Sequence, residues 1–351
     1  MIKLSPKERF TRCAFGQDVD MLPVQCDFTA RGLKNFLASR GVSRISDLEL
    51  LPFFDNHVLY GYMDGVTLRL KTMDYRDEHI LYDEWGNGWD TSQDLMYCSG
   101  PLGDWNDFDN YRLPDPNAPG YLDYTEKLVR DGYAENYIVT SYHFCTLFER
   151  AYMLRGFENV MEDMYLEPEL LESLLDKITD FQVALAKRYI EAGVNCGRTV
   201  DDYGSQTSLM MSPQLWRQYI KPRLAKIHDV YHNAGLPVIH HCCGNITLIL
   251  DDFVEMGINV LNPVQPAALD VKLLRDNYGT KLTFFGGICN QTTMSDGTPE
   301  SVDEHVREQT SILGAHGRFV ISPSNGVGVD VPLENVEAYF AAAERYRKLL
   351  S

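Results

Sequence analysis

No stretch of this chain runs apolar for about 18 residues, so nothing in it reads as a membrane-spanning helix. The start, Met1 to Phe10, is charged and lacks the apolar core of a signal peptide. Its eight cysteines include no Cys-x-x-Cys pair. In an enzyme-sized chain without an export signal they read as reduced thiols, and a cytoplasmic location is expected. Positive charge is scarce: 32 Lys and Arg stand against 50 Asp and Glu, for a net charge of −18. That balance argues against nucleic acid or an anionic membrane as partner. No glycine-rich phosphate loop follows the first strand-like run, and no Gly-Lys-Ser/Thr accompanies Gly286-Gly287. Low-complexity tracts and repeats longer than a strand-helix unit are absent too.

What is present is a strand-helix alternation. Short β-rich runs at 137–141, 193–200, 236–240, 258–261, 282–285 and 318–321 are separated by amphipathic segments. Glu167 to Gly193 has apolar residues at helical spacing. Ser212-Pro213 supplies an N-cap and a first-turn proline for a helix running towards Gly235. Further helices are expected over 300–314 and 333–350. An early strand at 23–28 joins the series, and an eighth is expected between residues 45 and 70. With 351 residues, 44% of them hydrophobic, the chain is predicted to be one (β/α)₈ TIM barrel over 1–351. A β-rich insertion after the first strand, at about 60–130, forms a cap or subunit contact, which leaves a homodimer open. Val66–Leu70, His79–Asp83 and Trp89–Ser92 are its expected antiparallel strands, and Trp85, Trp89 and Trp105 are expected to pack there.

The densest chemistry lies in Val238-Ile-His240-His241-Cys242-Cys243-Gly244-Asn245. Side chains on a strand alternate, so His241 and Cys243 share one face, or His240 and Cys242 the other. Imidazole nitrogen beside thiolate sulfur is a donor pair suited to zinc. Barrel active sites form at the carboxyl ends of the strands. The other strand ends carry Tyr142-His143, Asp201-Asp202-Tyr203 with Gln206, Asn262 with Gln265, Cys289-Asn290-Gln291, and Asn325-Gly326. Adjacent residues face opposite ways, so one of Asp201 and Asp202 enters the site, and Asp202 is the choice. His143 reads equally as a core histidine, and Cys242 and Cys289 as packing thiols.

Taken together, these motifs resemble the uroporphyrinogen decarboxylase superfamily. They are His241-Cys-Cys243-Gly-Asn, Asn262-Pro-Val-Gln265-Pro, Phe284-Phe-Gly-Gly-Ile, Ser322-Pro-Ser-Asn325 and Pro332-Leu-Glu-Asn335-Val. Phe148-Glu149-Arg150 through Gly156, and Asp201 through Thr207 with Ser212-Pro-Gln-Leu-Trp216, are similar to its corrinoid-dependent methyltransferase branch. The decarboxylases' arginine-rich N-terminal motif is missing; the equivalent strand reads Pro23-Val-Gln-Cys-Asp27-Phe. The resemblance implies zinc on His241 and Cys243, with Gln265 and Asn325 where the branch carries a carboxylate and a distant cysteine. Asp202, Cys289 or His143 would then complete the shell.

The activity implied is methyl transfer from a small methyl ether, such as a methoxylated aromatic, to the Co(I) of a separate corrinoid protein. Cobalamin would travel on that partner, since the chain has no Asp-x-His-x-x-Gly signature. Asp202, His143 and Tyr203 are the expected catalytic residues. Gln206, Asn262, Gln265, Asn325 and Asp27 are the expected substrate contacts. Transfer from methyl-cobalt to tetrahydrofolate or a thiol, a decarboxylase, and a non-catalytic barrel binding a corrinoid or tetrapyrrole are the alternatives.

Overall fold

The protein is described here by a computed structural model covering residues 3–42, 47–61, 79–90 and 96–348, without the side chains of 47–50. Ten strands are named in chain order. β1 (Val58–Tyr60), β5 (Ile138–Thr140), β6 (Gly197–Val200), β7 (Val238–His241), β8 (Val260–Val264), β9 (Thr283–Ile288) and β10 (Phe319–Pro323) run parallel. β2 (Ile80–Tyr82), β3 (Gly88–Asp90) and β4 (Met96–Ser99) form a separate antiparallel sheet.

β6 through β10 make one continuous parallel sheet. β1 pairs with β5, and bridges Thr140–Cys196 and His143–Thr199 join β5 to β6. On the other side the extended segment 23–28 meets β10 through Val24–Ile321, with Gln25 N donating to Ile321 O at 3.0 Å. The seam between that segment and β1 has no bridge among the described residues, and side-chain amides span it. Gln25 Oε1 accepts from His57 N and Val58 N at 3.1 Å each, while its Nε2 donates to Val58 O at 3.1 Å. Asn56 accepts from Cys26 N at 2.8 Å and donates to Cys26 O at 3.1 Å. Each amide offers a donor and an acceptor as a peptide does, so the buried backbone there is satisfied. The (β/α)₈ TIM barrel is thus closed by eight segments, the eighth being β1 inside the expected 45–70 window.

Alternation along the strands sorts the interior. Val58, Ile138, Ile239, Val260, Phe285 and Val320, each from a parallel strand, and Cys196, just before β6, form an apolar floor. Phe10, Cys13 and Ala14 plug it from below, on a helix (Pro6–Ala14) started by a Ser5/Glu8 capping box. Every second residue from that floor points inward, and the ones between pack against the helices.

Two expectations change. The antiparallel strands fall between β1 and β5, so they follow the second barrel segment and not the first. A strand at 66–70 lies outside the described residues. The helix opened by Ser212, whose side chain accepts from Leu215 N at 3.3 Å, stops at Tyr219 and resumes at Lys221. Pro222 follows at once and has no N–H for an unbroken ladder. Trp89 and Trp105 donate to Asp83 and Asp163 at 2.9 and 3.1 Å, and Trp85 lies under the Arg150 guanidinium.

Candidate active site

Counting upward from the floor gives the site. Cys196 is inward, so Arg198, Val200 and Asp202 follow it on the same face. Ile239 leads to His241 and Cys243, Val260 to Asn262, and Val58 to Tyr60. All of these line one cavity of about 430 Å³ at the carboxyl end of the barrel. Asp27, Glu149 and Asn325 add to its polar wall, and Phe28, Tyr142 and Phe144 form an aromatic wall.

Asp202, His241 and Cys243 each point one donor atom to a common place, with those atoms within 4.8 Å of one another. His241 Nε2 and Cys243 Sγ are 3.5 Å apart. Two ligands of one tetrahedral zinc would stand about 3.6 Å apart, from the usual bond lengths. His241 Nδ1 donates to Asn262 Oδ1 at 2.7 Å, which fixes the tautomer and leaves the Nε2 lone pair facing the cavity. Asp202 Oδ1 accepts from Cys243 N at 2.7 Å and ties the two strand ends together. Burial, with the nearby Arg198 charge, lowers the His241 pKa to about 4, so the ring is neutral at pH 7. Burial, then the Asp202 charge, raises the Cys243 thiol to about 12. A divalent cation would reverse that and take the thiolate. One nitrogen, one sulfur and one carboxylate, partly exposed, make a three-ligand set with room for a fourth, the pattern of catalytic zinc. The residues fit the metal.

The outward members of the same doublets are scaffold. Asp201 is fully buried; it accepts from Phe148 N at 2.9 Å, Glu149 N at 2.8 Å and Tyr203 Oη at 2.7 Å. It thereby holds the start of helix Phe148–Arg155 and sets Glu149 over the cavity. His240 Nδ1 meets Thr199 Oγ1 at 2.8 Å among the helices, and Cys242 is buried beside Tyr203 N.

Several expected roles are corrected by this geometry. His143 is not a cavity acid: it is buried, Nδ1 contacts Gln182 Oε1 at 2.7 Å and Nε2 contacts Tyr231 Oη at 2.6 Å. Tyr203 is buried with its hydroxyl spent on Asp201. Cys289 lies outside the ligand cluster, its Sγ 3.3 Å from Thr292 Oγ1. Gln265 does not line the cavity; its Oε1 accepts from Gly244 N at 2.6 Å and shapes the turn after Cys243. Gln206 is exposed and does not line the cavity; its Oε1 is 3.5 Å from Gln291 Nε2. Asn325 is on the rim of the cavity, Asn262 supports His241, and Asp27 accepts from Tyr60 Oη at 2.5 Å.

Arg198, Tyr60 and Glu149 are among the cavity residues to which the sequence assigned no role. Arg198 was reachable by stepping in twos along a strand already identified; Tyr60 was not, because its strand was placed only within the 45–70 window. Glu149 was not, because it comes from a helix start whose position depends on Asp201. Its carboxyl pKa is raised well above the usual range by burial and by the Asp201 and Asp202 charges. Tyr152 donates to its Oε1 at 3.2 Å, and its Oε2 is buried without a partner.

The uroporphyrinogen decarboxylase (URO-D) family model matches residues 96–346. Methylcobamide:CoM methyltransferase MtaA of Methanosarcina barkeri is 27% identical over 181 residues, 51% of this chain and 50% of that protein. The chain thus spans about half the length of the first curated relatives it matches. Methylcobamide:CoM methyltransferase MtbA of Methanosarcina mazei is 23% identical over 355 residues, covering 99% of this chain and all of that protein. A solved methyltransferase from Methanosarcina mazei shares the fold, with a TM-score of 0.75 at 19% identity over 98% of this chain and 99% of that one. On the match over residues 96–346, the chain belongs to the uroporphyrinogen decarboxylase family, and its relatives point to that family's corrinoid methyltransferase branch.

Proposed function

We propose that this protein moves a methyl group between a small methylated substrate and the corrinoid of a partner protein. The observation that carries the reading is the convergence of Asp202, His241 and Cys243 in an open cavity at the carboxyl end of the barrel. A decarboxylase of the uroporphyrinogen type would need many basic contacts, and among the described residues that line the cavity Arg198 is the only Lys or Arg. For a methyl ether such as a methoxyarene, Co(I) supplies the electron pair of the new cobalt–carbon bond. The carbon–oxygen pair leaves on the phenolate oxygen.

Zinc, held by Asp202, His241 and Cys243, would supply Lewis acidity at that oxygen. The chain's own residues do the rest. The aromatic wall places the methyl group towards the mouth. Asn262 holds His241 in its ligating tautomer. Glu149, kept protonated by burial and its acidic neighbours, is the acid that delivers a proton to the leaving oxygen, in the role first expected of His143 or Tyr203. The corrinoid partner docks over the rim that carries Gln206, Gln291 and Asn325.

A second reading is transfer from a methylcobamide to a thiol. The curated relatives named for that reaction favour it, and so does the sulfur donor in the candidate metal cluster, since zinc held there would suit thiolate activation. Mixing the protein, a Co(I) corrinoid protein and a panel of methoxylated phenols tests the first reading: the Co(I) spectrum is expected to convert to methyl-Co(III). No conversion with any ether, alongside rapid demethylation of methyl-cobalt by thiols, would establish the second.

A further inference from the structure

We propose that Arg198 is an anion-binding residue, and that the substrate carries a carboxylate or sulfonate which this guanidinium seats in the cavity beside the Asp202, His241 and Cys243 cluster. The inference deepens the methyl-transfer reading and rests on it for the word substrate.

Six arginines of the described residues are buried. Five of them have a carboxylate oxygen within 4.0 Å: Arg9 with Asp20, Arg150 with Asp83, Arg155 with Asp163, Arg223 with Asp176, and Arg347 with Asp55 and Glu344. Arg198 is the sixth and has none among the described residues. Its Nη1 is buried with no hydrogen-bond partner. An arginine cannot shed its charge, so a buried guanidinium without a counter-ion is costly unless something supplies one.

The surroundings explain how the charge is held and why it is left open. Arg198 lies against the Tyr60 and Tyr142 rings, 4.5 and 4.8 Å from their centroids, a contact that favours the cation. Asp27, the acidic residue expected nearby, is committed elsewhere: Tyr60 Oη donates to Oδ2 at 2.5 Å and Gln25 Nε2 to Oδ1 at 2.9 Å. Burial raises the Asp27 carboxyl above its usual range against the lowering pull of the Arg198 charge. No Asp27 oxygen comes within 4.0 Å of the guanidinium, so Asp27 is only a partial, distant counter-ion. Arg198 stands four residues before Asp202 on one inward-facing row, and both line the same cavity. An acid at one end of a small molecule can therefore reach Arg198 while the reacting end lies at the cluster. The planar fork of guanidinium suits carboxylate and sulfonate oxygens alike.

Calorimetric titration with two matched pairs tests this and separates the sources. One pair is 4-methoxybenzoate and 4-methoxybenzyl alcohol; the other is 2-mercaptoethanesulfonate and 2-mercaptoethanol. In the wild-type protein, the anionic member of one pair is expected to bind at least about tenfold more tightly than its neutral partner. The pair that responds identifies the source. Arg198→Gln is expected to bring that preference to within about twofold, and Arg198→Lys to keep part of it. Equal binding within both pairs by the wild type would overturn the proposal, and so would a preference that survives Arg198→Gln. If Arg198→Gln does not fold, the wild-type pairs and Arg198→Lys decide. An anion preference without methyl transfer to or from a corrinoid protein would retire the methyltransferase reading and keep the anion site. Methyl transfer without the preference would do the reverse.

Discussion

Three pairs of identical neighbours sit at the ends of two adjacent strands: Asp201 and Asp202, His240 and His241, Cys242 and Cys243. In each pair the first member is fully buried among helices and the second reaches the barrel cavity. The chemistry of the side chain is the same; its direction differs by half the strand period. The outward residues are held by partners that do not change: peptide N–H groups on Asp201, Thr199 on His240, Tyr203 N on Cys242. The inward residues face one another at ligand distance. This cluster of reactive residue types is half scaffold, and strand phase decides which half.

The sharpest way to break the comparison is to remove an inward residue. His241→Ala or Asp202→Ala is expected to lower methyl transfer at least about a hundredfold, with a melting temperature close to wild type. A loss of folding in place of activity would put these residues in the scaffold. Asn262→Leu probes the support one step back, since it removes the acceptor for His241 Nδ1. It is expected to weaken metal affinity about 10–100-fold, read by competition with a chelating dye.

Outward residues are expected to show the opposite signature. Asp201→Asn weakens the acceptor for two peptide N–H groups and is expected to cost about 1–3 kcal/mol in urea unfolding, with bound metal unchanged. His143 yields a smaller, pH-dependent effect. Burial lowers its folded-state pKa to about 4, against 6.5 in the unfolded chain. Below pH 6.5 the unfolded state takes a proton that the folded state refuses, so this ring's contribution to stability falls as pH falls. Its share between pH 7 and pH 5 is about 2 kcal/mol, and His143→Gln is expected to flatten the acid-side loss by that order. An unchanged pH slope would show that this ring is protonated as readily when folded as when unfolded.

The same alternation explains what could be read from the sequence. Period two pairs His241 with Cys243 and turns one of Asp201 and Asp202 inward without saying which face is the inner one, and seven of the eight barrel segments were visible as short apolar runs. His143 and Tyr203 were misassigned by breaking that rule: Ile138 and Cys196 are inward, so 143 and 203 are outward. Gln25 and Asn56 were not legible as barrel closure, because side-chain amides replace a strand ladder that would have left a pattern. Glu149 depends on a helix whose start is set by a residue 52 positions away. Arg198 reads as an ordinary strand residue until its missing counter-ion is seen among five that have one.

Zinc content of protein purified without chelator, compared for wild type, Cys242→Ala and Cys243→Ala, is the most direct test. These are adjacent thiols of one strand end, so composition and fold are matched as closely as a chain allows. About one equivalent is expected in wild type and in Cys242→Ala, and far less in Cys243→Ala. No metal in the wild type, or equal metal in both variants, would contradict this expectation.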